Sequence, residues 1–464
     1  MSSEPKKVGR RTFLNYAIAV VATGVIVGAA TYLAVPKEVT TVTAPGATTT
    51  VTAPGTTTIK TVTTTVSEGK KLSPSLYCYM HSVHKTAIGD LTKLFKFIYG
   101  TEITIDTNTQ PYLQNKIITE ASLPTGTIDI GALTEMDFTP LNVPLLEPLN
   151  DYIKVAPIEN YDDIIPSLLT MCNKGGVQYG IPIRTGTHII YYRKDLFEKN
   201  GISPPKNIED IYEIGKQFKG TGIYGLNMIG AKTRIFHYFP NFMWAFGGEY
   251  FSEDLKEVLI DRDETVAALE FLKKLYDDGI LPPKFLTIDQ DEETTIWQQG
   301  MAAMSISYTG RLVPFTDPKS SKVSKEMTGY LVIPAAKGRE GKNHVYGGEW
   351  SAVIPKNSQK KDTAWEFIRF ISHPVCTLLM ALNGNDPVRV STYNESRLKE
   401  QRPAEFLKVF NESNKIAKPA LPAIANVEKI QDIIATEIHN ALMGQKSARD
   451  ALKDAKKAIE PLLA

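Results

Sequence analysis

The chain has 464 residues, 42% of them hydrophobic and 22% charged, with 52 basic against 51 acidic side chains and a formal net charge of +1. That length has room for two or three domains, and that balance is the balance of a globular protein, not a disordered or fibrous one. A net charge so near zero gives no reason to expect a nucleic acid or another polyanion as partner.

The N-terminus is the most distinctive stretch. Residues 1–11 carry Lys6, Lys7, Arg10 and Arg11 against a single Glu4, and residues 16–35 contain no charge. About 20 largely apolar residues at 1.5 Å each are enough to cross a hydrocarbon core of about 30 Å. The basic flank then stays in the cytoplasm and everything after Lys37 lies outside. Arg10-Arg11-Thr12-Phe13-Leu14 resembles a twin-arginine export signal, with Gly9 where Ser or Thr is usual. No A-x-A box and no lipobox cysteine follows, which favours retention as a transmembrane anchor over cleavage as a signal peptide. Residues 39–66 are about half threonine and repeat Thr-Val-Thr-Ala-Pro-Gly at 41–46 and 50–55. Such a segment buries too little to offset its ordering entropy and is predicted to be an extended stalk holding an extracellular domain off the cell membrane. A stalk without a lipobox points to an archaeal surface.

From about residue 72 the pattern becomes α/β. Leu76-Tyr77-Cys78-Tyr79-Met80 predicts a strand, 85–99 a helix, 102–106 a strand, 112–121 a helix and 127–131 a third strand, the rhythm of a parallel sheet. Asp261-Arg262-Asp263-Glu264 has the form of a capping box. It opens a helix whose stripe is Val266, Leu269, Leu272, Leu275 and Tyr276, and Gly279 with Pro282-Pro283 closes it. A further helix is predicted from residue 359, with Ser358 as N-cap, ending before Pro374. Residues 427–463 read as helical with a break at Gly444. The three cysteines, Cys78, Cys172 and Cys376, are too few and too scattered for a disulfide framework or a zinc site. Buried free thiols are favoured over a Cys78–Cys172 bridge.

Val177-Gln178-Tyr179-Gly180-Ile181-Pro182 and Ile190-Tyr191-Tyr192-Arg193-Lys194-Asp195-Leu196-Phe197 resemble stretches of the family 1 extracellular solute-binding proteins, the relatives of maltose-binding protein. Trp244-Ala245-Phe246-Gly247-Gly248, Gln299-Gly300-Met301-Ala302-Ala303-Met304, Gly347-Gly348-Glu349-Trp350, Ala364-Trp365-Glu366-Phe367-Ile368 and Ala441-Leu442-Met443-Gly444 follow in the family order. The resemblance implies a type II periplasmic-binding-protein-like α/β fold with a ligand cleft between two lobes. Lobe one is expected at 72–182 and 350–397, lobe two at 183–349 and 398–464, with strands crossing near 181–184 and 344–350. It also implies a non-enzymatic function, capture of a mono- or oligosaccharide for an ABC transporter whose permease and ATPase are separate subunits. A peptide or polyamine ligand is the alternative, and a glycan-acting enzyme a more distant one.

A sugar site needs flat aromatic faces for its C–H groups and fixed polar groups for its hydroxyls, because an unpaired buried donor costs about 1–3 kcal/mol. Trp244, Tyr308 and Trp350 are the aromatic candidates, with packing of a turn beside Gly247-Gly248 as the other reading of Trp244. Trp297 and Trp365 lie on apolar helix faces and are expected in the core. The polar candidates are Arg311 after Tyr308, Glu349 beside Trp350, and Asp386 with Arg389 in a glycine-bearing loop. Glu135 and Asp137 follow the third strand and His81 and His84 the first, where α/β sheets present ligand loops. The H-x-x-H pair lacks evident partners for a metal, so no metal or cofactor is expected. Residues 225–233 miss a P-loop because Ala231 breaks the Gly-Lys pair.

Overall fold

The computed structural model describes residues 72–108 and 112–463, and the backbone of three short strands at Val39–Ala44, Ala47–Thr50 and Ile59–Thr63. The span expected at 16–35 and its export signal lie outside the described residues. Among the described residues no helix is long and apolar enough to cross a membrane. Val39–Ala44 pairs antiparallel with Ala47–Thr50 and parallel with Ile59–Thr63. The β-branched Val, Thr and Ile that dominate these strands favour such pairing.

The main sheet contains, in chain order, β1 (Ser75–His81), β2 (Glu102–Asn108), β3 (Ile130–Thr134), β4 (Ile181–Arg193), β5 (Tyr224–Asn227), β6 (Ala302–Tyr308), β7 (Thr328–Leu331), β8 (Val345–Val353) and β9 (Ala417–Lys418). Their spatial order is β5-β6-β4-β8-β3-β1-β2, with β7 beside β4 and β9 beside β8. Strands β1, β2 and β3 are parallel, joined through α1 (Ser82–Tyr99) and α2 (Tyr112–Ser122), the crossover that parallel pairing requires. The third strand starts later than its predicted 127 because Asp129 uses its side chain there. The carboxylate accepts the Tyr77 N–H at 2.9 Å, the Ser358 hydroxyl at 2.9 Å and Lys360 Nζ at 3.1 Å.

Two long strands tie the halves together. The first half of β4 pairs antiparallel with β8, from Gly347↔Thr187 to Ala352↔Ile181, and its second half pairs with β6 and β7. A short helix, α3 (Pro166–Met171), packs against both strands. Apolar side chains collect on either side of this crossing. One core holds Leu76, Ile105, Ile130, Ile183 and Trp365, and the other Ile190, Leu226, Phe239, Leu272 and Ile438. A further cluster around Tyr191, Trp297, Phe315 and Phe406 draws on segments far apart in the chain. Trp297 and Trp365 are fully buried, as their apolar faces predict; Trp365 donates to the Ala156 carbonyl at 3.0 Å.

Helix α4 (Lys232–Phe246) packs on α5 (Asp263–Asp277), which buries Val266, Leu269, Leu272 and Leu275. Its predicted capping box does not form. Arg262 stands at the N-cap without a side-chain bond, while Asp261 and Asp263 turn to Lys456 and Arg449. Helix α6 (Lys361–Ile371) starts two residues after its predicted position and stops before Pro374 as expected; Ser358 accepts the Lys360 N–H at 3.2 Å. The remaining long helices are α7 (Ala404–Lys415), α8 (Val427–Leu442) and α9 (Ala448–Ile459), the last two separated at Gly444, whose φ is +73°. Cys78, Cys172 and Cys376 are buried free thiols.

Candidate functional site

Side chains alternate along a strand, so on β4 residues 184, 186 and 188 share one face, and on β8 residues 346, 348 and 350 share the same one. The register sets Trp350 opposite Arg184 and Gly348 opposite Gly186, while Tyr308 of β6 faces His188. Two glycines opposite each other leave the middle of this face without side chains. They form the floor of a trough, with the Glu135 carboxyl lying over Gly348 and Tyr308 in ordinary contact distance of Gly186, the kind of strand position where another molecule can come close.

One wall of the trough is Tyr308, Tyr346 and His188. The His188 ring lies 4.3 Å from Tyr308 and 4.8 Å from Tyr346, centroid to centroid. Asn241 on α4 fixes this wall, donating to His188 Nδ1 at 2.9 Å and accepting the Tyr346 N–H at 2.8 Å. The other wall is the half-buried Trp350, with His81 and His84 at 5.6 and 5.1 Å. His81 caps α1 by accepting the Val83 N–H at 3.4 Å. Burial, and then the charges of Arg184 and Arg234, lower its pKa, and burial holds His84 well below the ordinary range, so both rings are neutral.

Glu135 takes the position beside β8 that the next residue of β3 would occupy. It accepts the Glu349 N–H at 3.1 Å and the Tyr346 hydroxyl at 3.4 Å, and burial pushes its pKa up to about 7. Glu349 points to the opposite face of β8, accepts the Ser351 hydroxyl at 2.6 Å, and is held well above the usual carboxylate range by burial. Asp137 accepts the Thr134 N–H and hydroxyl, each at 2.7 Å, and so closes the turn after β3; burial raises it to about 6. Asp386 pairs with Arg402 at 3.0 Å and accepts the Thr309 hydroxyl at 3.3 Å. Arg311 follows Tyr308, and its buried Nε has no partner among the described residues.

The structure thus gathers His81, His84, Glu135, Tyr308, Arg311 and Trp350 around one trough, with Asp386 at its end. Four other candidates stand elsewhere: Glu349 on the opposite face of β8, Asp137 in the turn after β3, Trp244 and Arg389. Trp244 is buried in the second core, donates to Glu249 at 3.2 Å and packs the turn at Gly247, which is the other reading its sequence context left open. Arg389 is fully buried, donates to the carbonyls of Ser372, Asn160 and Glu159 at 2.6–3.0 Å and pairs with Asp163 at 3.4 Å, which commits its fork within the protein. Sequence reasoning missed Arg184, Gly186, His188, Arg234, Tyr346 and Gly348. The available signal was the even spacing of 184, 186 and 188 and of 346, 348 and 350 on two predicted crossing strands.

Next to Glu135 lies a separate cavity of about 480 Å³, lined also by Ser167, Thr170, Lys174, Ala417 and Pro422. It shares Glu135 with the trough but none of the aromatic rings. In the glycine-bearing stretch before α4 the Gly230 and Ala231 N–H groups both donate to the Ile288 carbonyl, at 3.2 and 3.0 Å, so they do not point to a phosphate. Among the described residues no group of three or more His, Cys, Asp or Glu side chains is placed to hold a metal.

Residues 86–374, more than half of the chain, match the family described as bacterial extracellular solute-binding protein. This chain belongs to that family. Among the relatives of this solute-binding protein, a mannitol-binding protein of Pseudomonas aeruginosa is 26% identical over 64% of this chain and 72% of its own length. A maltooligosaccharide ABC transporter solute-binding lipoprotein of Streptococcus pneumoniae is 25% identical over 65% and 69%. Among solved structures, maltose-bound T. maritima MalE3 superposes with a TM-score of 0.74 at 24% identity, covering 84% of this chain and 99% of that one. A ribitol-bound ABC transporter solute-binding protein from Agrobacterium radiobacter K84 gives 0.76 at 21%, covering 85% and 100%. The fold is therefore the type II periplasmic-binding-protein fold, with the β4–β8 crossing at its middle.

Proposed function

We propose that this solute-binding protein captures a mono- or oligosaccharide in the trough and delivers it to the membrane subunits of an ABC importer, without turning it over. The observation that carries this reading is the Gly186–Gly348 floor between Trp350 on one side and Tyr308 with Tyr346 on the other. A pyranose needs flat faces for its C–H groups and polar groups at its equator, and Trp350 and Tyr308 with Arg184 and Arg311 are groups of those kinds. The sugars named for relatives, mannitol and maltooligosaccharides among them, support the same class.

In this reading residues 72–182 and 350–397 form lobe one, 183–349 and 398–464 lobe two, and the ligand bridges them. A bridging ligand binds the closed state better than the open one and shifts that equilibrium, so closed lobes become the signal to the permease. Residues 16–35 tether the protein to the cell membrane with the globular part outside, and proximity to the permease then supplies effective concentration without a new contact. A polyamine is disfavoured by the arginines at the trough and by carboxyl groups whose pKa is raised.

The test is titration calorimetry of the full chain against a panel of mono- and oligosaccharides, with peptides and polyamines as controls and chromatography of the mixture afterwards. Micromolar binding of one sugar class, recovered intact, is the expected result. Binding of a control alone overturns the carbohydrate assignment, and recovery of cleaved sugar overturns the binding-only assignment.

A further inference from the structure

The trough has more positive charge at one end than the protein neutralises. The charged groups acting on Arg184 are Asp386, Arg311 and Arg402. Arg184 and Asp386 converge over Gly310, where a Cβ would stand 3.0 Å from Arg184 Nη2 and 3.1 Å from Asp386 Oδ2. Asp386, however, is already paired with Arg402 at 3.0 Å. Three guanidinium groups therefore share one carboxylate. The other carboxyl near Arg311 is Glu293; it is fully buried and makes no ion pair with Arg311, burial pushing its pKa up while the Arg311 charge pulls it down.

Closing a cleft over cations without counter-charge is costly, because desolvation is not repaid by any partner. The ligand is the group able to supply that partner. Arg184 is also the cross-strand neighbour of Trp350, so their side chains leave the sheet about 5 Å apart on one face. A ring stacked on the indole then places an exocyclic acid within reach of the guanidinium fork, which matches carboxylate and phosphate oxygens two at a time.

We propose that the natural ligand is an acidic sugar, its ring on Trp350 and its carboxylate or phosphate held by Arg184 and Arg311. This rests on the sugar reading above and narrows it. Arg184 and Arg311 are then the residues that set specificity for charge, while Trp350 and the tyrosine wall set it for the ring.

The experiment is calorimetry on the full chain with matched ligands: glucose and galactose, glucuronate and galacturonate, glucose 6-phosphate, and succinate as an anion without a sugar ring. The expected result is at least about tenfold tighter binding of an acid sugar than of its neutral parent, a preference that shrinks as salt rises from 20 to 500 mM, by about tenfold or less. Uronate against sugar phosphate decides which acid is read. Arg184→Gln and Arg311→Gln, each checked for an unchanged circular dichroism spectrum, are expected to weaken the acid sugar about tenfold more than the neutral one. Arg184→Lys is expected to recover part of the loss. A neutral sugar that binds as tightly as its acid, or more tightly, overturns this inference and leaves the sugar reading standing. Succinate bound with every sugar silent overturns both.

Discussion

Gly186 and Gly348 respond oppositely to an added side chain. A Cβ at Gly348 would meet both Glu135 carboxylate oxygens at 2.8 Å, so a buried, hydrogen-bonded group has to move. A Cβ at Gly186 meets only Tyr308 at 3.7 Å and Thr309 Oγ1 at 3.9 Å, which is ordinary contact. Gly186→Ala is therefore expected to change stability by less than about 0.5 kcal/mol, the range of substitutions that break no partnership. Gly186→Leu places a branched side chain on the trough floor and is expected to weaken sugar binding by more than about tenfold, the loss of roughly 1.4 kcal/mol. Thermal melting and calorimetry on the two variants check both statements. Retained affinity in a folded Gly186→Leu protein puts the ligand somewhere other than this floor.

At the scale of elements, what could be read from the sequence depended on how local its causes are. The alternation at 75–81 and 102–108 and the stripe of α5 are set by neighbours in sequence, and those elements appear where they were predicted. The capping box failed because its acids answer to Arg449 and Lys456, 186 and 195 residues along the chain. The site divides in the same way. Tyr308, Trp350 and the histidines after β1 follow from strand ends, but Arg184 gains its meaning only from the strand laid beside it. Arg389 is the clearest case: a glycine-bearing loop made it look like a ligand group, and no local signal reveals that three carbonyls from two other loops converge on it. Arg389→Ala removes the Asp163 ion pair and the donors to Glu159, Asn160 and Ser372, leaves the Ser372 carbonyl buried without them, and empties a fully buried site, which costs on the order of 3–5 kcal/mol. The expected outcome is a lowered melting temperature with sugar affinity of the folded fraction unchanged, measured by circular dichroism and calorimetry. A normal melting curve with lost affinity would return Arg389 to the ligand.

Across the whole molecule, β4 and β8 run through both cores. Ile183 and Ala352 belong to one cluster, Ile190 and Val345 to the other, so unfolding either core unpairs strands of its neighbour. A group at this crossing therefore reports on the stability of the whole fold, and Glu135 is such a group. Its folded pKa is about 7 against an ordinary 4.5, raised by burial. Between those values the folded chain keeps a proton that the unfolded chain has released. Stability from this group is thus complete below about pH 4.5 and is lost as pH rises through 7, by about 3 kcal/mol in all. His84, His188 and His237, lowered by burial, act in the other direction below about pH 6.5. Asp137 and Glu293 act in the same direction as Glu135. All of these remain in Glu135→Gln, whose amide oxygen can still accept the Glu349 N–H while its NH2 donates to the Tyr346 hydroxyl, so they largely cancel in the difference between the two proteins. Urea unfolding at pH 5 and pH 8.5 should show the wild type losing about 2.5 kcal/mol relative to the variant across that interval, the rest having gone below pH 5. Parallel pH profiles would mean that Glu135 is already ionised at pH 5, with the β4–β8 crossing open enough to water to solvate it.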